Sequence, residues 1–123
     1  MKTVHIVIVM EPVAKARPRL GRNGVFTPTR TRNAEKFLKL HFNKYSPSDK
    51  PCSVDITFGC SHKNKSLWQA PKPTRPDLDN LVKTVLDAAN GCLFFDDGQV
   101  FSITSRKIYS ETGKIELTLT FDE

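Results

Sequence analysis

The segment DNLVKTVLDAANG, residues 79–91, leaves the chain the least conformational freedom. Leu81, Val82, Val85, Leu86 and Ala89 recur at helical spacing and make one apolar stripe. Asp79 is a residue type that caps a helix start, and Gly91 is one that ends a helix. Such a helix buries its stripe only against a second layer. Strand-patterned segments supply that layer. TVHIVIVM near the amino terminus and CSVDITFGC before the helix alternate and are rich in β-branched residues. QVFSITSRKIYS and KIELTLTF follow the helix and are expected to pair as a hairpin around the turn ETGK. A second amphipathic helix is predicted from Asn33 to near YSPSDKP, with Ala34, Phe37, Leu38, His41, Phe42 and Tyr45 on its apolar face. His41 and the aromatic residues of that face are read as structural. The order β-α-β-α-β-β predicts an α+β fold in a single domain, residues 1–123, with a mixed sheet and helices packed on one face.

Charge is divided unevenly along this frame. Residues 1–50 carry eleven Lys or Arg against Glu11, Glu35 and Asp49, a balance of +8, while residues 51–123 carry eight against ten, a balance of −2. Much of the basic excess lies in EPVAKARPRLGRNGVFTPTRTR, a proline- and glycine-bearing loop with a short hairpin signal at RNGV. Loops this long in compact domains tend to be functional or disordered. Lys15, Arg17, Arg19, Arg22, Arg30 and Arg32 in this loop, with Lys72 and Arg75 in the later loop SHKNKSLWQAPKPTRP, are candidates for tracking a phosphate backbone. The plainer reading is a loop kept solvated by its charge. Trp68, the one tryptophan, sits in the later loop. It is expected to fold back over the core, with stacking on a base or wedging into DNA as the functional alternative.

Two classes are excluded at this point. The longest apolar run, Val4 to Met10, is interrupted by His5 and is too short to cross a bilayer, and no cleavage pattern follows it, so a cytoplasmic protein is expected. Cys52, Cys60 and Cys92 are odd in number and form no CxxC pair, which argues for reduced thiols rather than a disulfide framework or zinc ribbon.

Against the basic background stands a set of paired acids. Asp77 and Asp79 precede the second helix, and an extended approach would point both the same way. Asp96 and Asp97 follow it in FFDDGQV, which reaches the first pair only if the chain turns back along the helix. Three gathered carboxylates repel by about 1 kcal/mol per pair at ~4 Å in water, so such a cluster calls for a cation. Hard oxygen donors without thiolate or imidazole favour Mg²⁺. Lys83, four residues after Asp79, shares its helix face and could hold a phosphate or stabilise a developing oxyanion. Taken singly, these are helix caps, turn residues and an i,i+4 ion pair; four acids framing one short helix in a basic chain exceed what those roles require. Asp87, in mid-helix, is read as a surface residue. The residues together point to metal-dependent phosphodiester chemistry on nucleic acid.

RPDLDNLVKTVLDAANGCLFFDDGQV resembles the signature of the RusA family of Holliday-junction resolvases: Asp-x-Asp-Asn, a lysine one helical turn later, then Asp-Asp-x-Gln. PVAKARPRLGRNGVFTPTRTRNAEKF is similar to the basic segment, Thr-Pro turn and helix of many members, so the resemblance covers nearly the whole chain. It implies that Asp77, Asp79 and Asp97 are metal-binding catalytic carboxylates, that Lys83 assists them, and that Asp96 is the secondary member of its pair. It further implies Mg²⁺, for which Mn²⁺ substitutes, a homodimer, and symmetric cutting of four-way DNA junctions in recombination and repair. Two readings compete with it: a non-catalytic basic module that binds nucleic acid, and a Mg²⁺-dependent phosphatase acting on small phosphate esters.

Overall fold

Four strands form the main sheet in the order β1-β6-β4-β5: β1 Lys2–Ile8, β4 Cys52–Ser61, β5 Val100–Ser110 and β6 Lys114–Phe121. They come from a computed structural model that describes residues 1–16, 19–22, 24–26 and 28–122, with the backbone alone at 19, 25 and 26. β6 shows why the sheet has one dry face. Ile115, Leu117, Leu119 and Phe121 are buried while Lys114, Glu116, Thr118 and Thr120 between them are not, the two-residue period of a strand covered on one side. The buried set joins Ile6 and Ile8 of β1 and Val54, Ile56 and Phe58 of β4 in one core. Helices α1 (Thr29–Phe42) and α2 (Leu78–Ala89) close it with Leu38 and Phe42, and with Leu81, Val85, Ala88 and Ala89. Polar pairs occupy the open face, among them Arg106 with Asp55 at 2.9 Å and His5 with Thr118 at 3.0 Å. The α+β class, the mixed sheet and the helices on one face are as predicted. None of the described helices is long and apolar enough to cross a membrane.

Two features depart from expectation. The predicted carboxyl-terminal hairpin does not form: β4 lies between β5 and β6, parallel to the first and antiparallel to the second. The connection from Ser110 to Lys114 therefore passes over the end of β4, and Gly59 permits the passage. A Cβ there would lie 2.6 Å from Ser110 Oγ and 3.1 Å from Lys114 Cγ, so any side chain would collide with the crossing chain. α1 begins at Thr29 rather than Asn33, with Pro28 as its N-cap. Its buried stripe is Thr31, Ala34, Leu38 and Phe42, while Phe37 and Tyr45 are 41% and 38% exposed. Arg30 and Arg32 consequently belong to the first turn of a helix. The RNGV signal does become a two-stranded ribbon, β2 Arg19–Gly21 against β3 Gly24–Phe26.

The β4–α2–β5 unit places everything that follows. Because β4 and β5 are parallel, α2 runs back against both. Its first turn thus stands near the carboxyl-terminal ends of those strands, and its last turn near their beginnings.

Candidate functional site

The start of α2 is held by a lysine that sequence reasoning overlooked. Lys107 of β5 extends its ammonium to the carbonyls of Thr74 and Pro76, 2.5 Å from each, and so pins the loop directly ahead of Asp77. Lys72 adds a bond to Thr74 Oγ1 at 2.8 Å, its ammonium lying 5.1 Å from the centre of the Tyr109 ring. The Arg75–Pro76 peptide is cis. Asp77 is then the N-cap of α2, yet its side chain accepts no hydrogen bond from the helix it caps. Asp79, expected to be the cap, lies in the first turn and accepts from Asn80 N at 3.0 Å. Since the helix begins at Leu78, the two carboxylates are not aligned as an extended strand would align them. Lys83, one turn on, is exposed and forms no ion pair with Asp79 among the described residues.

An open groove of about 810 Å³ lies beside this helix start. Asp77 and Asn80 line one part of it, Arg30, Lys72 and Arg75 supply positive charge, and Glu11 brings a further carboxylate that the sequence did not single out. The first turn of α1, at Pro28, Arg30 and Thr31, also faces the groove. That helix end has no side-chain cap and no acid in its first turn, so its dipole adds to the positive potential. The groove therefore carries more positive than negative charge, with the carboxylates of Asp77 and Glu11 in its lining, a suitable place for a phosphate chain. Cys60 also lines it; burial pushes its thiol above the ordinary value, with Lys72 pulling it back.

The predicted phosphate-tracking residues do not share one fate. Arg30, Lys72 and Arg75 meet in the groove. Arg22 is exposed at the tip of the β2–β3 ribbon, and Arg32 is exposed on α1. Arg19 lies on β2 by its backbone, and Arg17 falls outside the described residues. Lys15 lines the groove, but its ammonium is bound between Glu35 of α1 and Asp87 of α2, 3.3 Å from the latter. Burial lowers its pKa, and the bonds to Glu35 and Asp87 outweigh that and leave it raised. Lys15 is thus a clasp between two helices, and Asp87, read from sequence as a surface residue, is its anchor.

Asp96 and Asp97 are at the other end. Twelve residues carry α2 about 18 Å from the first pair. The chain then enters a 3-10 turn, Asp97–Gln99, just ahead of Val100, which pairs with Cys52 at the start of β4. Asp96 caps that turn: its carboxylate accepts from Gly98 N at 2.9 Å, and Gln99 Oε1 accepts from Asp96 N at 3.0 Å. Gln99 Nε2 also donates to the carbonyls of Ser48 and Lys50, fastening the turn to the chain before β4. Asp97 is exposed and makes no side-chain hydrogen bond among the described residues. The expected return of FFDDGQV to Asp77 and Asp79 does not occur within one chain, because a helix between parallel strands separates its ends by its own length. Among the described residues no three His, Cys, Asp or Glu side chains come together as a metal-binding group.

Comparison with known proteins bears on this divided arrangement. The sequence model of the family described as "Endodeoxyribonuclease RusA" matches residues 10–120, which take in the groove and both pairs of aspartates. The chain is 34% identical to the crossover junction endodeoxyribonuclease rusA of Lactococcus phage r1t, over 68% of each protein. It is 30% identical to YqaN of Bacillus subtilis (strain 168), over 97% of this chain and 96% of that one. A match spanning both ends of α2, the basic groove and three of the four strands of the sheet cannot be confined to one shared motif, and the chain belongs to the RusA family of endodeoxyribonucleases.

Proposed function

We propose that the protein resolves four-way (Holliday) DNA junctions by paired, symmetric strand cleavage in recombination and repair, using a divalent metal. The observation that carries the reading is Asp77: an N-cap carboxylate left out of capping, at the edge of a basic groove. The name of the phage relative, a crossover junction endodeoxyribonuclease, supports the choice of substrate. In this reading Arg30, Lys72 and Arg75 hold the strand by its phosphates, with the exposed Arg22 and Arg32 as further phosphate contacts.

The donor set fits a hard cation. Asp77 and Asp79 offer carboxylate oxygens, with Mg²⁺ the expected ion and Mn²⁺ able to replace it. Within one chain Asp77 and Asp79 stand two residues apart at the start of α2 while Asp97 follows its other end, so the third carboxylate, Asp97, comes from a second copy. A two-fold pairing that sets one α2 antiparallel to the other carries the Asp97 end of each subunit to the Asp77 end of its partner, and does so twice. Two sites related by a two-fold axis are also what symmetric cutting of a two-fold junction needs. The exposed apolar residues Phe95 (61%), just before Asp97, and Phe101 (66%) and Ile103 (47%), on the edge strand β5 that follows it, supply a surface for that pairing. When bound, the metal supplies Lewis-acid stabilisation of the phosphoryl oxygens and a water of lowered pKa. Lys83 adds a positive charge one turn from Asp79, for the charge that develops on the phosphate. Asp96, occupied as a cap, is secondary. Three unpaired, buried thiols suit the reducing cytoplasm in which we place the reaction.

Cleavage of a four-way junction and of a linear duplex by purified protein, with Mg²⁺ or with EDTA, tests the reading. Junction cutting that EDTA abolishes is expected. Asp77→Asn and Asp79→Asn should each remove cutting and leave junction binding within a few-fold, because the basic residues supply affinity. Undiminished cutting by either variant would strike that residue from the site. Junction binding without cutting in any divalent metal would favour a non-catalytic module, and turnover of a small phosphomonoester would favour the phosphatase.

A further inference from the structure

Trp68 does not fold back over the core. It is neither a member of the apolar core nor among the residues packed against it, although it is the largest apolar side chain in the protein. It is half-buried in its own loop, and that loop is built in detail. The indole N–H donates to the carbonyl of His62 at 2.8 Å, which fixes the ring's direction. His62 in turn accepts from Asn64 N at 3.0 Å and meets the Tyr109 ring edge-on. Asn64 caps the 3-10 turn Lys65–Leu67 that delivers Trp68, and Gln69 N donates to Tyr109 O at 2.8 Å to tie the far side to β5.

The indole walls a pocket of about 540 Å³ together with Ser61, His62, Lys63 and Glu111. Ser61 also lines the basic groove, so pocket and groove adjoin. We propose that this pocket receives an unpaired nucleobase of the strand whose phosphates lie in the groove, stacked against Trp68. The inference rests on the DNA-cleaving reading above and adds to it the feature that tells branched DNA from linear. With its N–H already bonded, the indole presents only a π surface, which stacks on any base. Lys63 suits a neighbouring phosphate, and Glu111 can accept from an amino edge of the base. A polyanion that carries planar rings answers both the charge of the groove and the aromatic wall. Intact duplex keeps its bases in the stack, whereas the centre of a junction releases them at lower cost. A tryptophan held still beforehand loses little entropy when a base arrives.

Because Trp68 is the only tryptophan, indole emission reports the surroundings of this one side chain. The experiment uses Asp77→Asn protein, so that no cutting intervenes, and follows anisotropy of labelled DNA and tryptophan emission in one titration. A four-way junction is expected to quench the emission as it binds, and a linear duplex at equal occupancy to leave it nearly unchanged. Trp68→Ala, in the same background, should lose about ten-fold or more in junction affinity with little loss for linear duplex, and Trp68→Phe should recover most of it. Junction binding that leaves the emission unaltered, or full junction preference in Trp68→Ala, would overturn the proposal while the endonuclease reading stands. A protein that bound no DNA of any form would overturn that reading, and this proposal with it.

Discussion

Asp77 and Asp96 occupy the same structural position, the N-cap of a helical turn, and use their carboxylates in opposite ways. Asp96 accepts from Gly98 N and is locked by Gln99; Asp77 bonds to nothing in its helix. Residue type alone predicts a cap at either place, so sequence could mark both acids without telling which one was free for chemistry. The difference is measurable in stability. Asp96→Ala should cost about 1 kcal/mol, the usual loss for a working cap, whereas Asp77→Ala should leave the midpoint of thermal unfolding unchanged or raise it. Lys107 lay beyond sequence reasoning for another reason: its partners are two carbonyls in a loop some thirty residues earlier, and no side-chain pattern announces a backbone acceptor. Lys107→Met should free the loop before Asp77. Faster amide exchange at residues 74–79 and slower cutting are expected, with junction affinity largely kept; a parallel fall in affinity would make Lys107 a phosphate contact instead.

At the level of elements, periodicity located both helices and strands such as β6, because burial on one face imposes the period directly, whereas β5, with no such alternation of burial, was marked by its β-branched and aromatic residues. Pairing was less readable. A turn signal between β5 and β6 shows that the chain reverses, but it does not show that β4 lies between them. The clue was Gly59, inside an otherwise strong strand, where the crossing chain leaves no room. Ser110 Oγ is itself bonded to Thr112 O and has little freedom to move aside. Gly59→Ala should therefore destabilise the fold by about 1–3 kcal/mol in denaturant unfolding, with part of the loss recovered in Gly59→Ala/Ser110→Ala. Lys15 clasps α1 to α2, and its raised pKa sets a pH limit. A group that binds its proton more tightly when folded contributes stability below its unfolded pKa, 10.5 here, and loses it as pH rises through the folded value. Cys52, whose thiol burial pushes from 9.0 up to about 11, acts in the same direction. Stability should thus hold through neutral pH and fall from about pH 9 upward. Lys15→Met should remove the lysine's share of that alkaline slope and cost about 1–3 kcal/mol at pH 7, since Glu35 and Asp87 would face one another unpaired.

For the whole molecule, the decisive fact is that α2 holds its two acidic ends apart. The sequence placed four aspartates around one helix, and the topology of parallel strands assigns them to opposite poles. A site made within one chain and a site shared between two copies make different predictions for mixed subunits. Suppose Asp77→Asn and Asp97→Asn proteins, each inactive alone, are unfolded together and refolded. If each chain carried its own complete site, every chain in the mixture would lack one carboxylate and no DNA would be cut. If Asp97 serves the partner's Asp77, one site of each mixed dimer collects both changes and the other collects none. The mixture should then recover cutting, but only on one strand of each junction, so nicked junctions accumulate in place of resolved duplexes. Gel separation of nicked from resolved products distinguishes these outcomes. A mixture as inactive as its components, shown by subunit tags to contain mixed dimers, would return the third carboxylate to the same chain and require the 3-10 turn and its cap, residues 96–99, to move the length of α2 before cutting.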